Sequence, residues 1–133
     1  MNPHYPIVAE RAHHRCEYCH APEAIFNFPF EVEHILPGSR QGSDDDTNLA
    51  LACRACNIRK SNHVAGTDEE TGNTVRLFHP RQELWEEHFE LVSQTGTMHG
   101  KTPIGRATVQ RLEMNSSVQR EARRQWMRLG LFP

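Results

Sequence analysis

Hydrophobic and polar positions alternate along residues 25–35, IFNFPFEVEHI. Phe26, Phe28, Phe30 and Val32 occupy one phase of a two-residue repeat, and Asn27, Pro29, Glu31 and Glu33 the other. That pattern predicts a strand with one buried face. Pro29 cannot donate to a ladder, so the strand is expected at an edge or bent there. Residues 37–46, PGSRQGSDDD, are turn formers and read as a hydrophilic loop. The apolar run NLALA at 48–52 suits a second strand, and residues 57–62 a short helix that stops before Gly66. Upstream, part of residues 1–15 is expected to form a short lead-in helix. Downstream, residues 67–73 read as an acidic turn and 74–78 as a strand. Residues 80–92 fit a helix burying Leu84, Trp85, His88 and Phe89. Two more helices are expected over 102–114 and 117–129, with Pro103 suited to a first helical turn. Trp126, Met127 and Leu129 fit packing positions.

The order from Phe26 to Asn62 is thus strand, loop, strand, helix, with a pair of cysteines at each end. Cys16-x-x-Cys19 and Cys53-x-x-Cys56 are identical units separated by 33 residues. Such pairs can serve as disulfides or a redox centre, but disulfides are rare in a reducing compartment. Two equivalent knuckles match the tetrahedral thiolate set of a structural Zn²⁺ better. His13, His14 and His20 lie nearby and read as bystanders to four available thiolates. The interval between the knuckles exceeds the usual zinc-ribbon spacing, so the inserted segment is where function is expected.

A chain of 133 residues suits one domain with an appended arm, and here residues 1–66 are expected to form the core and 67–133 a mostly helical extension. Hydrophobic residues at 37% and charged residues at 24% fit a soluble globular protein. No apolar run approaches the roughly 20 residues that span a bilayer. The leading segment carries Pro3 and Pro6 and no apolar stretch, which argues against a signal peptide and for a cytoplasmic location. The net charge of −2 is divided unevenly. Residues 1–100 hold 8 basic and 15 acidic side chains, and residues 101–133 hold 7 basic and 2 acidic. The basic tail reads either as a track for a phosphate backbone or as the solvated face of a helix.

Within the insertion, Glu31-Val-Glu33-His34, Asn48-Leu49 and Cys56-Asn57-x-x-Lys60 carry the chemistry. Hydrolysis of a phosphodiester needs a base for water, a cation beside the phosphate, and a frame holding both. His34 is a candidate base, since histidine titrates near neutrality. Glu33 and Asn57 offer hard oxygens, which suit Mg²⁺ or Mn²⁺. One geometric condition attaches to this set. Neighbours on a regular strand face opposite ways, so Glu33 and His34 share a site only if the strand ends or bulges there. A regular strand would place Glu31 and Glu33 on one face and His34 on the other, which would undermine the assignment.

The ordered elements Glu33-His34, Asn48-Leu49 and Cys53-x-x-Cys56-Asn57-x-x-Lys60, with Cys16-x-x-Cys19 upstream, resemble the HNH endonuclease signature in its zinc-binding branch. The resemblance covers roughly residues 16–63. It implies an α+β fold: a ββα-metal (HNH) core clamped by a Cys₄ zinc site (Cys16, Cys19, Cys53, Cys56), with appended C-terminal helices. It implies DNA as substrate and partner, His34 as general base, and Glu33 and Asn57 as ligands of a catalytic Mg²⁺ or Mn²⁺. It also implies Asn48 as the loop brace that orients His34, and Arg54, Arg59 and Lys60 as phosphate contacts. The products implied are 5′-phosphate and 3′-hydroxyl ends. This chain departs from the pattern in having Glu33 where Asp is usual and Gln41-Gly42 where the loop commonly has Gly-Gly. Asn57 stands where the third letter of the motif is His. His63 lies about 240° around the helix from Asn57 and receives no ligand role. A second function class is a non-catalytic zinc-ribbon module that binds nucleic acid or protein around an idle HNH core. A zinc-dependent redox switch is a third.

Overall fold

The computed structural model describes residues 2–133; Met1, at the head of the leading segment, lies outside them. Three antiparallel hairpins and five helices follow in order. Helix α1 (Tyr5–Arg11) buries Val8 and Ala9 and leaves its other face to solvent. The first hairpin pairs β1 (Glu31–His34) with β2 (Leu49–Ala52), and helix α2 (Arg54–Lys60) follows at once. The expected strand, loop, strand, helix order is therefore present. The mixed α and β architecture holds a ββα unit between two cysteine knuckles.

The register sets which side chains meet: Glu31 opposes Ala52, Val32 opposes Leu51, Glu33 opposes Ala50 and His34 opposes Leu49. All four residues of β2 are buried. Helix α1 packs on both strands and α2 on β1, so the hairpin is covered on two sides and the LALA run needs no polar face. Strand β1 is shorter than expected. Residues 26–30 leave the ladder, because the Phe30 N–H turns instead to the Glu23 carboxylate at 2.6 Å. Phe26 packs edge-on against Phe30 with centroids 4.9 Å apart, while Phe28 stays exposed.

The second hairpin, β3 (Ala65–Thr67) with β4 (Thr74–Arg76), runs across the expected boundary at 66/67. The 80–92 segment departs from its expected helix. Only α3 (Trp85–His88) is helical, and β5 (Phe89–Val92) then pairs with β6 (Thr97–Gly100). Apolar spacing at 84, 85, 88 and 89 served a single turn followed by a strand, a short-run ambiguity that periodicity does not resolve. Helices α4 (Pro103–Arg111) and α5 (Ser117–Arg128) lie where expected, capped by Thr102 on Gly105 and Ser116 on Gln119. Gly105 lets α4 press on the α3–β5 junction: a Cβ there would lie 2.0 Å from the His88 carbonyl oxygen.

The C-terminal half docks on the first cysteine knuckle. Trp85 stacks on His20 with ring centroids 3.9 Å apart, and its indole N–H donates to the Tyr18 carbonyl at 2.8 Å. Arg59 of α2 pairs with Glu113 just after α4 at 3.2 Å. One apolar cluster includes Leu49 and Leu51 of the hairpin with Phe78, Phe89, Met98 and Leu112. No helix among the described residues is long and apolar enough to cross a membrane.

Candidate metal centre and hydrolytic site

Cys53 both ends β2 and caps α2, its sulfur accepting the Cys56 N–H at 3.5 Å. Cys16 and Cys19 sit on the facing knuckle, whose Glu17 exchanges backbone and carboxylate hydrogen bonds with Leu51. The four sulfurs all lie within 4.8 Å of one another, and Cys19 and Cys53 are 3.7 Å apart. A tetrahedron with Zn–S bonds of about 2.3 Å has edges of about 3.8 Å, so this set fits Zn²⁺. The crowded thiols drive each other apart in acidity. Hydrogen bonding with Cys16, then Cys19 and Cys56, pulls Cys53 far below the usual thiol value, while Cys19 and Cys56 are pushed well above it. A divalent cation removes that conflict by stabilising every thiolate at once. His14 is held instead by Glu23, and His20 by Trp85, so neither competes for the ion.

The hydrolytic residues are arranged differently from the expectation. Strand β1 is regular, so Glu31 and Glu33 share a face and His34 takes the other. Glu33 is 5% exposed. Its Oε1 meets the Lys60 Nζ at 2.5 Å and its Oε2 accepts the Tyr18 hydroxyl at 2.7 Å. Burial pushes the Glu33 carboxyl up, opposed by the pull of Lys60 and Tyr18. Burial and the facing Glu33 carboxylate push the Tyr18 phenol up as well, so it remains a donor. Glu33 is thus paired with an internal cation through Oε1, which makes no hydrogen bond, and with a hydroxyl through Oε2, and a divalent ion there would have to displace Lys60.

Lys60 is 1% exposed and also donates to the Ile35 carbonyl at 2.9 Å. It is not at the surface to meet phosphate, because its ammonium sits at the centre of the hairpin–helix seam. Arg59 is committed to Glu113. Arg54, 63% exposed at its side chain, is the most exposed of the three expected phosphate contacts, and it pairs with Glu31 Oε1 at 3.5 Å. The Asn57 amide meets the other oxygen of Glu31 in a short contact. Glu31 and Asn57 therefore offer their polar groups in one place, where Asn57 was expected to meet Glu33. They border a cleft of about 500 Å³ with Tyr5, Pro29, Phe30 and Val32.

Asn48 is buried at the base of the loop between the strands. Its amide donates to the carbonyls of Leu36 at 2.9 Å and Ser43 at 2.8 Å, and its oxygen accepts the Leu36 N–H at 2.8 Å. Gly42 is needed in that loop, since a Cβ would lie 1.6 Å from the Leu36 carbonyl oxygen. His34 keeps a side chain 33% exposed, with Nε2 2.6 Å from Asp44 Oδ1. Asp44 was read from sequence only as part of a turn. No hydrogen bond among the described residues joins Glu33, His34 and Asn57 to one another; each has a different partner.

The basic tail is largely committed internally. Arg106 holds Asp68 with two bonds, Arg123 is buried on the Gly96 and Met114 carbonyls, Arg124 pairs with Glu121, and Lys101 donates to the Glu86 carbonyl. These four of the seven basic side chains in residues 101–133 turn to internal partners, which fits neither a continuous phosphate track nor a wholly solvated helix face.

Residues 16–63 match the family model described as HNH endonuclease. The match runs from the first cysteine knuckle through α2, so it contains the cysteine cluster, the hairpin, and Glu31, Glu33, His34, Asp44, Asn48, Arg54, Asn57 and Lys60. No curated protein and no solved structure matches the chain.

Proposed function

We propose that the HNH endonuclease-type segment makes this protein a metal-dependent endonuclease that hydrolyses DNA phosphodiester bonds. The observation that carries this reading is the grouping of half-buried Glu31 and Asn57 with exposed Arg54, Glu31 lying three positions along β1 from the accessible imidazole of His34. Carboxylate and amide oxygens together suit Mg²⁺ or Mn²⁺, and turning the Asn57 amide, whose Nδ2 donates to Glu31, would present its oxygen beside the carboxylate. Glu31 replaces Glu33 in this role, because Glu33 is buried against Lys60 and Tyr18, whereas the partly exposed Glu31 is paired only with the exposed Arg54 and with the Asn57 amide. Glu31 and Asn57 would hold a divalent ion, which would supply positive charge beside the phosphate and the departing 3′ oxygen.

His34 takes a proton from the attacking water as its oxygen bonds to phosphorus. The bond from phosphorus to the 3′ oxygen breaks, and that oxygen gains a proton from solvent. The products are a 5′-phosphate and a 3′-hydroxyl. In-line displacement puts attacking and leaving oxygens on opposite sides of phosphorus. His34 and Glu31 lie on opposite faces of β1, so this division requires the phosphate to reach across the strand. Arg54 steers and neutralises the phosphate. The buried Glu33–Lys60 pair and the zinc clamp keep hairpin and helix in register without touching substrate.

The test is cleavage of supercoiled plasmid by the purified protein with added Mg²⁺ or Mn²⁺, followed by analysis of the ends. Ion-dependent cutting that leaves 5′-phosphates supports the proposal. Zinc-loaded protein that binds DNA and never cuts it, across divalent ions and across duplex, junction and single-stranded substrates, overturns it in favour of a zinc-ribbon binding module.

A further inference from the structure

We infer that Asp44 is a positioning residue for His34, holding the imidazole as the Nε2–H tautomer with Nδ1 left as the accepting nitrogen. This rests on the hydrolytic reading for its catalytic consequence, but not for the interaction itself. A neutral imidazole has one donor and one acceptor nitrogen, and the partner of one decides the role of the other. Asp44 Oδ1 stands 2.6 Å from Nε2, and an ionised carboxylate only accepts. Nε2 must therefore carry the proton, and the lone pair that takes a proton from water lies on Nδ1.

Three features of the loop deliver Asp44 to that place. Asn48 ties the Ser43 carbonyl, one residue before Asp44, to Leu36, two residues after His34. Gly42 permits the close passage of the loop against Leu36 that the same closure requires. Ile35 donates its N–H to the Asn48 carbonyl at 2.8 Å, which fixes the strand end carrying His34. The braced loop thus joins a fixed strand end to a fixed carboxylate. Asn48 orients His34 through Asp44 as well as through the backbone, although it touches neither ring nor carboxylate.

A carboxylate that is merely a surface charge behaves differently. Asp44 is 81% exposed at its side chain. Removing an idle acidic group near a phosphate track would leave turnover unchanged and tighten DNA binding through reduced repulsion. Removing a group that orients the base lowers kcat, with KM unchanged or lower. By comparison with other partners that orient functional histidines, the loss is expected at about tenfold to a hundredfold in kcat for Asp44→Ala. Asp44→Asn keeps an oxygen acceptor at the same reach and is expected to recover part of it.

The experiment pairs ¹⁵N NMR of the histidine rings in the full zinc-loaded chain with steady-state plasmid cleavage, for wild type, Asp44→Ala, Asp44→Asn and His34→Ala. His34→Ala assigns the resonance. The expected result is a protected Nε2–H and an unprotonated Nδ1 for His34 in the wild type. Asp44→Ala should bring loss of that protection together with the fall in kcat. A His34 spectrum identical in Asp44→Ala overturns the inference whatever the activity, and so does cleavage with kcat left intact, whether DNA binding tightens or not. If the wild type cuts no DNA while its His34 signal still depends on Asp44, the interaction stands and the nuclease reading fails.

Discussion

Lys60 and Glu33 form a buried ion pair across the seam between α2 and β1, Nζ to Oε1 2.5 Å, with both side chains almost wholly out of water. Each ion has further hydrogen-bond partners: Tyr18 for the carboxylate, and the Ile35 carbonyl for the ammonium. The pair therefore joins four pieces of chain, namely the first zinc knuckle, the catalytic strand, the turn after it and the helix that carries Asn57. Breaking one side leaves an uncompensated charge in the interior. Lys60→Met is expected to destabilise the protein by about 3–5 kcal/mol. The double variant Glu33→Leu/Lys60→Met should recover a large part of that loss, since no buried charge is left alone. Urea unfolding of the zinc-loaded variants reads both values, and a Lys60→Met chain as stable as wild type would place Lys60 at the surface after all.

The two strand carboxylates should separate cleanly in function. Glu31→Gln removes charge from the pair that faces Asn57, and is expected to raise the Mg²⁺ or Mn²⁺ concentration needed for half-maximal cleavage by about tenfold or more, with little change in thermal stability. Glu33→Gln is expected to lower the melting temperature while leaving the metal requirement of the folded fraction unchanged. Metal titrations of cleavage beside thermal melts check both variants, and the opposite assignment of effects would restore Glu33 as the ligand.

Zinc should be part of the fold. One equivalent per chain is expected by elemental analysis. Its removal by a chelator should unfold the hairpin and α2, because in small thiolate sites metal binding free energy is folding free energy. Cys53→Ser should do the same even with zinc in excess, since Cys53 is both ligand and helix cap. Retention of native circular dichroism after complete removal of zinc would contradict the clamp.

The hairpin β3–β4 is fastened to α4 by Asp68 and Arg106, at 2.8 and 3.0 Å. Hydrogen bonds from Arg106, aided by Thr71 and the Glu70 N–H, hold the Asp68 carboxyl well below its usual range. A carboxyl depressed in the folded state stabilises it fully above the unfolded value of about 3.9, and that contribution is lost as pH falls further. Wild type should accordingly melt above Asp68→Asn at pH 7, with the gap narrowing below about pH 4. Melting curves from pH 7 to pH 3 test this; a gap that widens in acid would reverse the sign.

Much of this was legible from local sequence. The paired cysteines announced a thiolate cluster because spacing alone brings two sulfurs to one ion. Asn48 as a loop brace followed from the family pattern, and the positions of β2, α4 and α5 from apolar runs and capping residues. The misplacements share a cause: they depend on which partner lies across the fold. Alternation along Glu31, Val32, Glu33 and His34 correctly implied that the two glutamates share a face. It could not show that Lys60, ten residues past Ala50, which opposes Glu33 in the hairpin, swings inward to claim Glu33. Phe28 and Phe30 carried the signal of a strand, yet Glu23 captured the Phe30 N–H and ended the ladder. Asp44 was invisible as a site residue because a run of three aspartates in a turn has no periodicity, and only loop closure selects the one that meets His34.

The most direct test of the nuclease account is plasmid cleavage by wild type and His34→Ala, purified side by side with zinc bound and assayed with Mg²⁺ or Mn²⁺. The account predicts ion-dependent cutting by the wild type and its loss, by about a hundredfold or more, in His34→Ala with the melting temperature preserved. Equal cutting by both proteins would contradict it, since the base would then lie elsewhere or the activity would not belong to this chain.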